Sequence, residues 1–162
     1  MEIHMENSKP SFLRVVQSDY LAMLGLLFPA VFFVMYIAVA YFGYFPGLRG
    51  HDPIQGTEGA PIFLYGFIIG AIIGIPLSIW RYKRIQTIFL NGITIAGKVE
   101  GIYWHRDRGS VDISYQYEGK SYLKPNPIMK NARTRALTRG MDVAVVANKD
   151  DPNQAVIRDL YI

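Results

Sequence analysis

The chain has no cysteine. Disulfides, thiol nucleophiles and cysteine-ligated metals are therefore excluded. Histidine is nearly as scarce. His4, His51 and His105 lie far apart in sequence and give no spacing for a structural zinc site. Charge is missing from two long stretches: there is no Asp, Glu, Lys or Arg from Tyr20 to Leu48, and none from Gly59 to Trp80. Acid alone is missing from a third, Gly119 to Met141, which holds six cations. No Gly-x-Ser-x-Gly elbow for a serine hydrolase is present either.

The two charge-free stretches define the architecture. A bilayer core about 30 Å thick needs roughly 20 helical residues to cross it, and both stretches are long enough. A soluble core helix is rarely this apolar at this length, twice in succession. Cleavage of the first stretch as a signal peptide is disfavoured, although Ala38-Val39-Ala40 imitates the small-x-small pattern. The preceding segment carries Glu2, Glu6 and Asp19 against Lys9 and Arg14, and the apolar run is too long for a signal core. Tyr41, Phe42, Tyr44 and Phe45 continue the run as an interfacial aromatic belt.

The expected organisation is a tail over 1–19, a transmembrane hairpin over 20–90 with helices at about 20–42 and 61–82, and a β-domain over 91–162. Ser18 or Asp19 supplies the first N-cap, and Pro29 predicts a mild kink. Residues 43–60, rich in Gly and Pro, read as an irregular loop. Pro61 suits the first turn of the second helix. On that helix Gly66, Gly70, Gly74 and Ser78 fall on one face, a row that admits a close helix neighbour. The partner is the first helix, through Ala22, Ala30 and Ala38, or a second copy of the chain.

Arg81, Lys83 and Arg84 follow the second span directly and set its orientation. With Lys9 and Arg14 they place five cations on one side, against Arg49 on the other. By the positive-inside rule both termini and the β-domain face the cytoplasm, as in a multi-pass protein of the bacterial inner membrane.

From Asn91 the pattern changes to short β-like runs. Ile93–Trp104 reads as one long strand, bent at Gly97 or Gly101. His105–Gly109 reads as a polar loop. Val111, Ile113, Tyr115 and Tyr117 alternate with polar residues at the period of a half-buried strand. Glu118-Gly119-Lys120 turns the chain into Ser121–Leu123, and Pro125-Asn126-Pro127 interrupts regular structure. Asp142–Ala147 and Ala155–Ile162 complete about five strands with no strong crossover helix. The fold class is thus a membrane α-helical hairpin plus an all-β small barrel, SH3-like or OB-like, closed or partly open.

The run Gly97-Lys98-Val99-Glu100-Gly101, the strand ending Tyr115–Tyr122, Gly140–Val145 and Asp151-Pro152-Asn153-Gln154-Ala155 together resemble a bacterial domain-of-unknown-function family. This family, of the DUF3592 type, comprises two-helix membrane proteins with a C-terminal small β-barrel. The resemblance covers about residues 20–162. Ala147 and Asn148 stand where that family usually has Tyr. The resemblance implies a fold and no activity, and carries over no catalytic residues.

Chemistry is sparse. His105 near Asp107 could support acid–base work, but both fall in the predicted polar loop with no partner nucleophile. Asp107, Asp112, Asp150 and Asp151 would chelate a cation only if they converged. No catalytic residue, metal site or cofactor is expected. The strongest surface signal is Lys120, Lys124, Lys130, Arg133, Arg135 and Arg139. Near a bilayer each such cation gains on the order of 1 kcal/mol from anionic lipid. The run is a solvated face, a docking surface for lipid or an acidic protein, or, less favoured because no aromatics interleave it, a nucleic-acid contact. The expected function is a non-enzymatic membrane-anchored interaction module whose β-barrel docks a protein partner or anionic lipid. The alternative is an accessory subunit or enzyme with active residues converging from separate loops.

Overall fold

The computed structural model describes residues 9–46 and 53–162. Arg49, His4 and His51 lie outside the described residues. Helix α1 (Phe12–Ser18) is followed at once by α2 (Tyr20–Phe42), then by the short paired strands β1 (Tyr44–Phe45) and β2 (Ile54–Gln55). Helix α3 (Ala60–Asn91) leads into β3 (Gly92–His105), β4 (Arg108–Tyr117) and β5 (Lys120–Met129). A single turn, α4 (Ala132–Arg135), precedes β6 (Asp142–Asn148), β7 (Ala155–Ile157) and a 3-10 turn at Arg158–Leu160.

Two compact units result. Of the described residues, one comprises 24–46 and 53–79; the other joins 9–23 to 80–162. The segment expected to be a tail therefore contributes to the β-rich unit.

In the first unit, α2 and α3 are each long and apolar enough to cross a membrane. At 1.5 Å per residue the 23 residues of α2 extend about 34 Å. Their flanks are largely uncovered: Leu27, Phe28, Val31, Phe33, Val34, Ile62, Ile68, Ile69, Ile72 and Ile73 are all exposed. Pro29 and Pro76 lie inside the helices. Where the chain between them was expected to be irregular, Tyr44 pairs with Gln55 and Phe45 with Ile54.

Helix α3 runs on to Asn91, nine residues past the expected end at 82. The reason is a second apolar stripe. Ile85, Ile88 and Phe89 recur at helical spacing and are buried in the core of the β-rich unit. Val15 of α1 and Ala22 of α2 join the same core with Val99, Val111, Ile113, Ile128, Val145, Val156, Ile157 and Tyr161.

The sheet of this unit is antiparallel, in the order β5-β4-β3-β6-β7. Strand β3 is long because it serves two partners. Its first half pairs with β6 from Gly92↔Asn148 to Lys98↔Asp142, and its second with β4 from Gly97↔Tyr115 to His105↔Arg108. The register slips between Val99 and Gly101, a bulge of the kind expected at Gly97 or Gly101. Gly97 pairs on both sides, and a Cβ there would come within 2.5 Å of Val145 Cγ2 and 2.9 Å of the Ser114 carbonyl. Its lack of a side chain is what lets the strand bend across the core. The sheet curls into a half-barrel, with β5 and β7 in contact but forming no ladder.

Three local expectations need correction. The β3–β4 turn is tighter than the loop predicted over 105–109: only Arg106 and Asp107 lie outside the ladder. Strand β5 passes straight through Pro125-Asn126-Pro127. Both prolines lie in an edge strand, opposite Asp112 and Ser110, where a missing outward N–H breaks no ladder bond. The final strand stops at Ile157, where the 3-10 turn Arg158–Leu160 begins and carries Leu160 and Tyr161 into the core.

Candidate lipid- or partner-binding surface

Strand alternation divides the basic run. In β5, Lys120, Tyr122, Lys124, Asn126 and Ile128 share a face, and the last two are buried. Lys120 is exposed and Lys124 half-buried at the open end of that face. Lys124 lies near Asp151 and helps lower its carboxyl pKa, after the larger effect of the Gln154 side-chain hydrogen bond. Lys130, Arg133, Arg135 and Arg139 are exposed on the segment from the end of β5 through α4 to the turn before β6. The six cations thus fall into two groups.

The second group is held in place by a capping box. Asn131 Oδ1 accepts from the Thr134 backbone N–H at 2.9 Å, and Thr134 Oγ1 accepts from the Asn131 N–H at 2.9 Å. Asn131 Nδ2 also donates to the Gln17 carbonyl at 2.8 Å, tying α4 to α1. Between them lies a cleft of about 460 Å³, lined by Val16, Gln17, Ser18, Met23, Met129, Lys130, Asn131, Ala132 and Arg133. Sequence reasoning found Lys130 and Arg133 but not the α1 wall. The one available signal was the apolar cluster Phe12, Leu13, Val15 and Val16.

Aromatic residues accompany the cations at several points. The Lys130 ammonium lies 5.7 Å from the Trp104 ring centre, and the Arg84 guanidinium 5.6 Å from that of Trp80. Arg108 lies 5.1 Å from the Tyr20 ring centre and donates to the Tyr20 hydroxyl at 2.7 Å.

Of the three cations expected to set orientation, Lys83 and Arg84 are exposed and Arg81 is buried. Arg81 Nε and Nη2 donate to Asp19 Oδ2 at 2.8 and 2.7 Å. Asp19 Oδ1 accepts from the backbone N–H groups of Leu21 and Ala22, each at 3.1 Å, as the N-cap of α2. The pair is walled by the C-terminus. Ser18 Oγ donates to the Leu160 carbonyl at 3.0 Å, and the Ser11 N–H to the Tyr161 carbonyl at 2.9 Å. Burial, then the nearby Asp19 carboxylate, holds the Tyr161 hydroxyl pKa far above its ordinary value.

The glycine row faces α2. A Cβ on Gly74 would strike the Gly25 carbonyl, one on Gly70 would meet Phe28 and Pro29, and one on Gly66 would meet the Phe32 ring. Ser78 continues the row beside Gly25. Ala30 is exposed, and Ala22 belongs to the core of the β-rich unit.

His105 and Asp107 are exposed at the β3–β4 turn, where the Asp107 carbonyl accepts from the Lys130 N–H. Among the described residues no cluster of three His, Cys, Asp or Glu could hold a metal ion. No family model, curated protein or solved structure matches the chain.

Proposed function

We propose that the chain is a two-span protein of the bacterial inner membrane whose cytoplasmic β-unit is a non-enzymatic module docking on anionic lipid. The observation that carries this reading is the change in chemistry after Ile79. The exposed surface of α2 and α3 is apolar and charge-free up to that point, and Trp80, Lys83 and Arg84 follow it immediately. In water so much exposed apolar side chain would drive association; in a bilayer it is the solvated state, with α2 and α3 as a hairpin closed on the glycine row. The cations beyond Trp80 then lie on the positive-inside side.

The β-unit reads as an OB-type barrel, five strands with a helical turn between the third and fourth and a gap between the third and fifth. A family of the DUF3592 type remains the proposed relationship. Support for docking comes from Lys130, Arg133, Arg135 and Arg139, four exposed cations on one short segment.

The absence of native cysteine makes orientation testable with single substitutions. Thr57→Cys, an exposed site between the spans, should react with a membrane-impermeant thiol reagent on intact cells. Ser121→Cys, exposed in the β-unit, should react only after permeabilisation. The reverse pattern would overturn the cytoplasmic assignment. Docking is tested by amide hydrogen exchange in nanodiscs. Residues 130–139 should be more protected in phosphatidylglycerol than in phosphatidylcholine, with the difference lost at high salt. Equal exchange in both lipids would refute it.

A further inference from the structure

Lys130 and Arg133 differ from the other exposed cations because they border a cleft with an apolar lining, Val16, Met23 and Met129. Two polar side chains of that cleft, Asn131 and Ser18, are engaged within the protein. Asn131 serves the capping box and Gln17, and the Ser18 hydroxyl serves Leu160. The Asp19 carboxylate is occupied by Arg81 and the start of α2. Neither Lys130 nor Arg133 forms an ion pair with a described residue. Two cations without a counter-ion thus border an apolar hollow. Its volume of about 460 Å³ falls in the range of roughly 300–1,000 Å³ found for small-ligand sites. Met23 lies one turn inside α2, whose apolar run opens at Tyr20. On the two-span reading the cleft therefore opens at headgroup depth, with Met23 on its hydrocarbon side.

We infer that this cleft binds one anionic phospholipid, its phosphate between Lys130 and Arg133 and the start of an acyl chain against Met23, Val16 and Met129. Phosphate favours such a position because Arg offers a planar fork of donors and Lys a compact charge. The Lys130 ammonium lies over the Trp104 ring, which restrains it. This site rests on the membrane reading above, but it claims more: a discrete, stoichiometric site instead of a diffuse attraction.

The test uses the full chain in mild detergent and native mass spectrometry with added phosphatidylglycerol or phosphatidylcholine. Wild type should retain one phosphatidylglycerol in preference to phosphatidylcholine. Lys130→Glu with Arg133→Glu should weaken retention about tenfold or more, since two attractive charges become repulsive. Arg135→Glu with Arg139→Glu, outside the cleft, should change it by less than about threefold. Ala132→Trp fills the cleft without altering charge and should also abolish retention. It guards against a charge reversal that merely misfolds, which circular dichroism would reveal. Equal losses from both charge pairs, with Ala132→Trp silent, would overturn the site while leaving diffuse docking intact. Free glycerol phosphate competing as well as the lipid would overturn it in favour of a soluble phosphate ligand. Wild type with no preference for phosphatidylglycerol would overturn it too, whereas loss of the orientation pattern at Thr57 and Ser121 would strike the membrane reading itself.

Discussion

Replacing Asp19 should damage this protein more than any other single charge change. Its carboxylate is fully buried and makes four hydrogen bonds: two from Arg81 and two from the first backbone N–H groups of α2. Asp19→Ala removes both sets. Leaving Arg81 buried without its partner costs about 3–5 kcal/mol, and loss of the cap about 1 kcal/mol more. For a chain of this size that corresponds to a fall in Tm of about 10 °C or more. Asp19→Asn separates the contributions, because an amide oxygen still caps the helix but no longer neutralises Arg81. It should recover only the capping part. Arg81→Met with Asp19→Asn removes both charges and should be milder than Asp19→Ala alone, since an apolar replacement of a buried pair is often nearly neutral. The assay is thermal unfolding in detergent followed by tryptophan fluorescence, with wild type, Asp19→Asn, Arg81→Met and the double variant arranged as a double-mutant cycle. A loss below about 1 kcal/mol for Asp19→Ala would show that the pair is a solvated surface contact, and the packing described around Ser18, Leu160 and Tyr161 would be wrong.

Other expectations follow from particular contacts. Gly74→Ala places a methyl on the Gly25 carbonyl and should lower Tm, whereas Gly66→Ala meets only the Phe32 ring, which can rotate, and should cost less; equal effects would refute a close approach at Gly25. Gly97→Val should reduce stability by roughly 3 kcal/mol or prevent folding, because its neighbours include the Ser114 backbone; a variant of wild-type stability in denaturant would refute the crowding. The Tyr115 hydroxyl, which donates to the Pro152 carbonyl, is pushed up to about 12 by burial, then by Tyr122 and Asp151. A raised folded pKa gives stability that is complete below the unfolded value near 10 and is lost as pH rises through about 12. Stability in denaturant should therefore fall as pH rises from about 10 to about 12; a Tyr115→Phe variant that loses as much over the same window would show that Tyr115 is exposed.

What could be read in the sequence was whatever depends on composition or short period. The first helix was expected at 20–42 and spans Tyr20–Phe42, because an uninterrupted apolar run bounded by Asp19 and Gly43 leaves little choice. The alternation from Val111 to Tyr117 likewise identified β4 and its buried face. The extension of α3 was legible in principle. Ile85, Ile88 and Phe89 have helical spacing, but the cations Arg81, Lys83 and Arg84 read as the end of a span and hid it. Pairings across long separations were not legible. Asp19 and Arg81 are 62 residues apart, and no local pattern signals that a cap will also be a counter-ion. The basic run was visible as composition, but its division into Lys120 and Lys124 on one side and Lys130 to Arg139 on the other follows from the strand β5 continuing through two prolines.

The same long-range packing decides where the β-rich unit can be cut. A fragment beginning at Gly92 keeps every strand of the five-stranded sheet. It loses Val15, Ile85, Ile88 and Phe89, all at most 3 % exposed in the core. Full burial of each such side chain is worth about 1.5–3 kcal/mol, so the loss is of order 6–12 kcal/mol against a typical total stability of about 5–15 kcal/mol. It also uncovers the core side chains of the sheet that those residues pack with. The fragment 92–162 should therefore be unfolded or aggregated. Extending it to 80–162 restores Ile85, Ile88 and Phe89 but not Val15, and should give a partly ordered, marginal domain. Adding residues 9–19 by a flexible linker should complete the core, with Asp19 meeting Arg81. Proton–nitrogen correlation spectra of the three fragments distinguish these states by amide dispersion. Well-dispersed spectra from 92–162 alone would mean that the sheet closes its own core, and that α1 and the end of α3 merely lie against a finished domain.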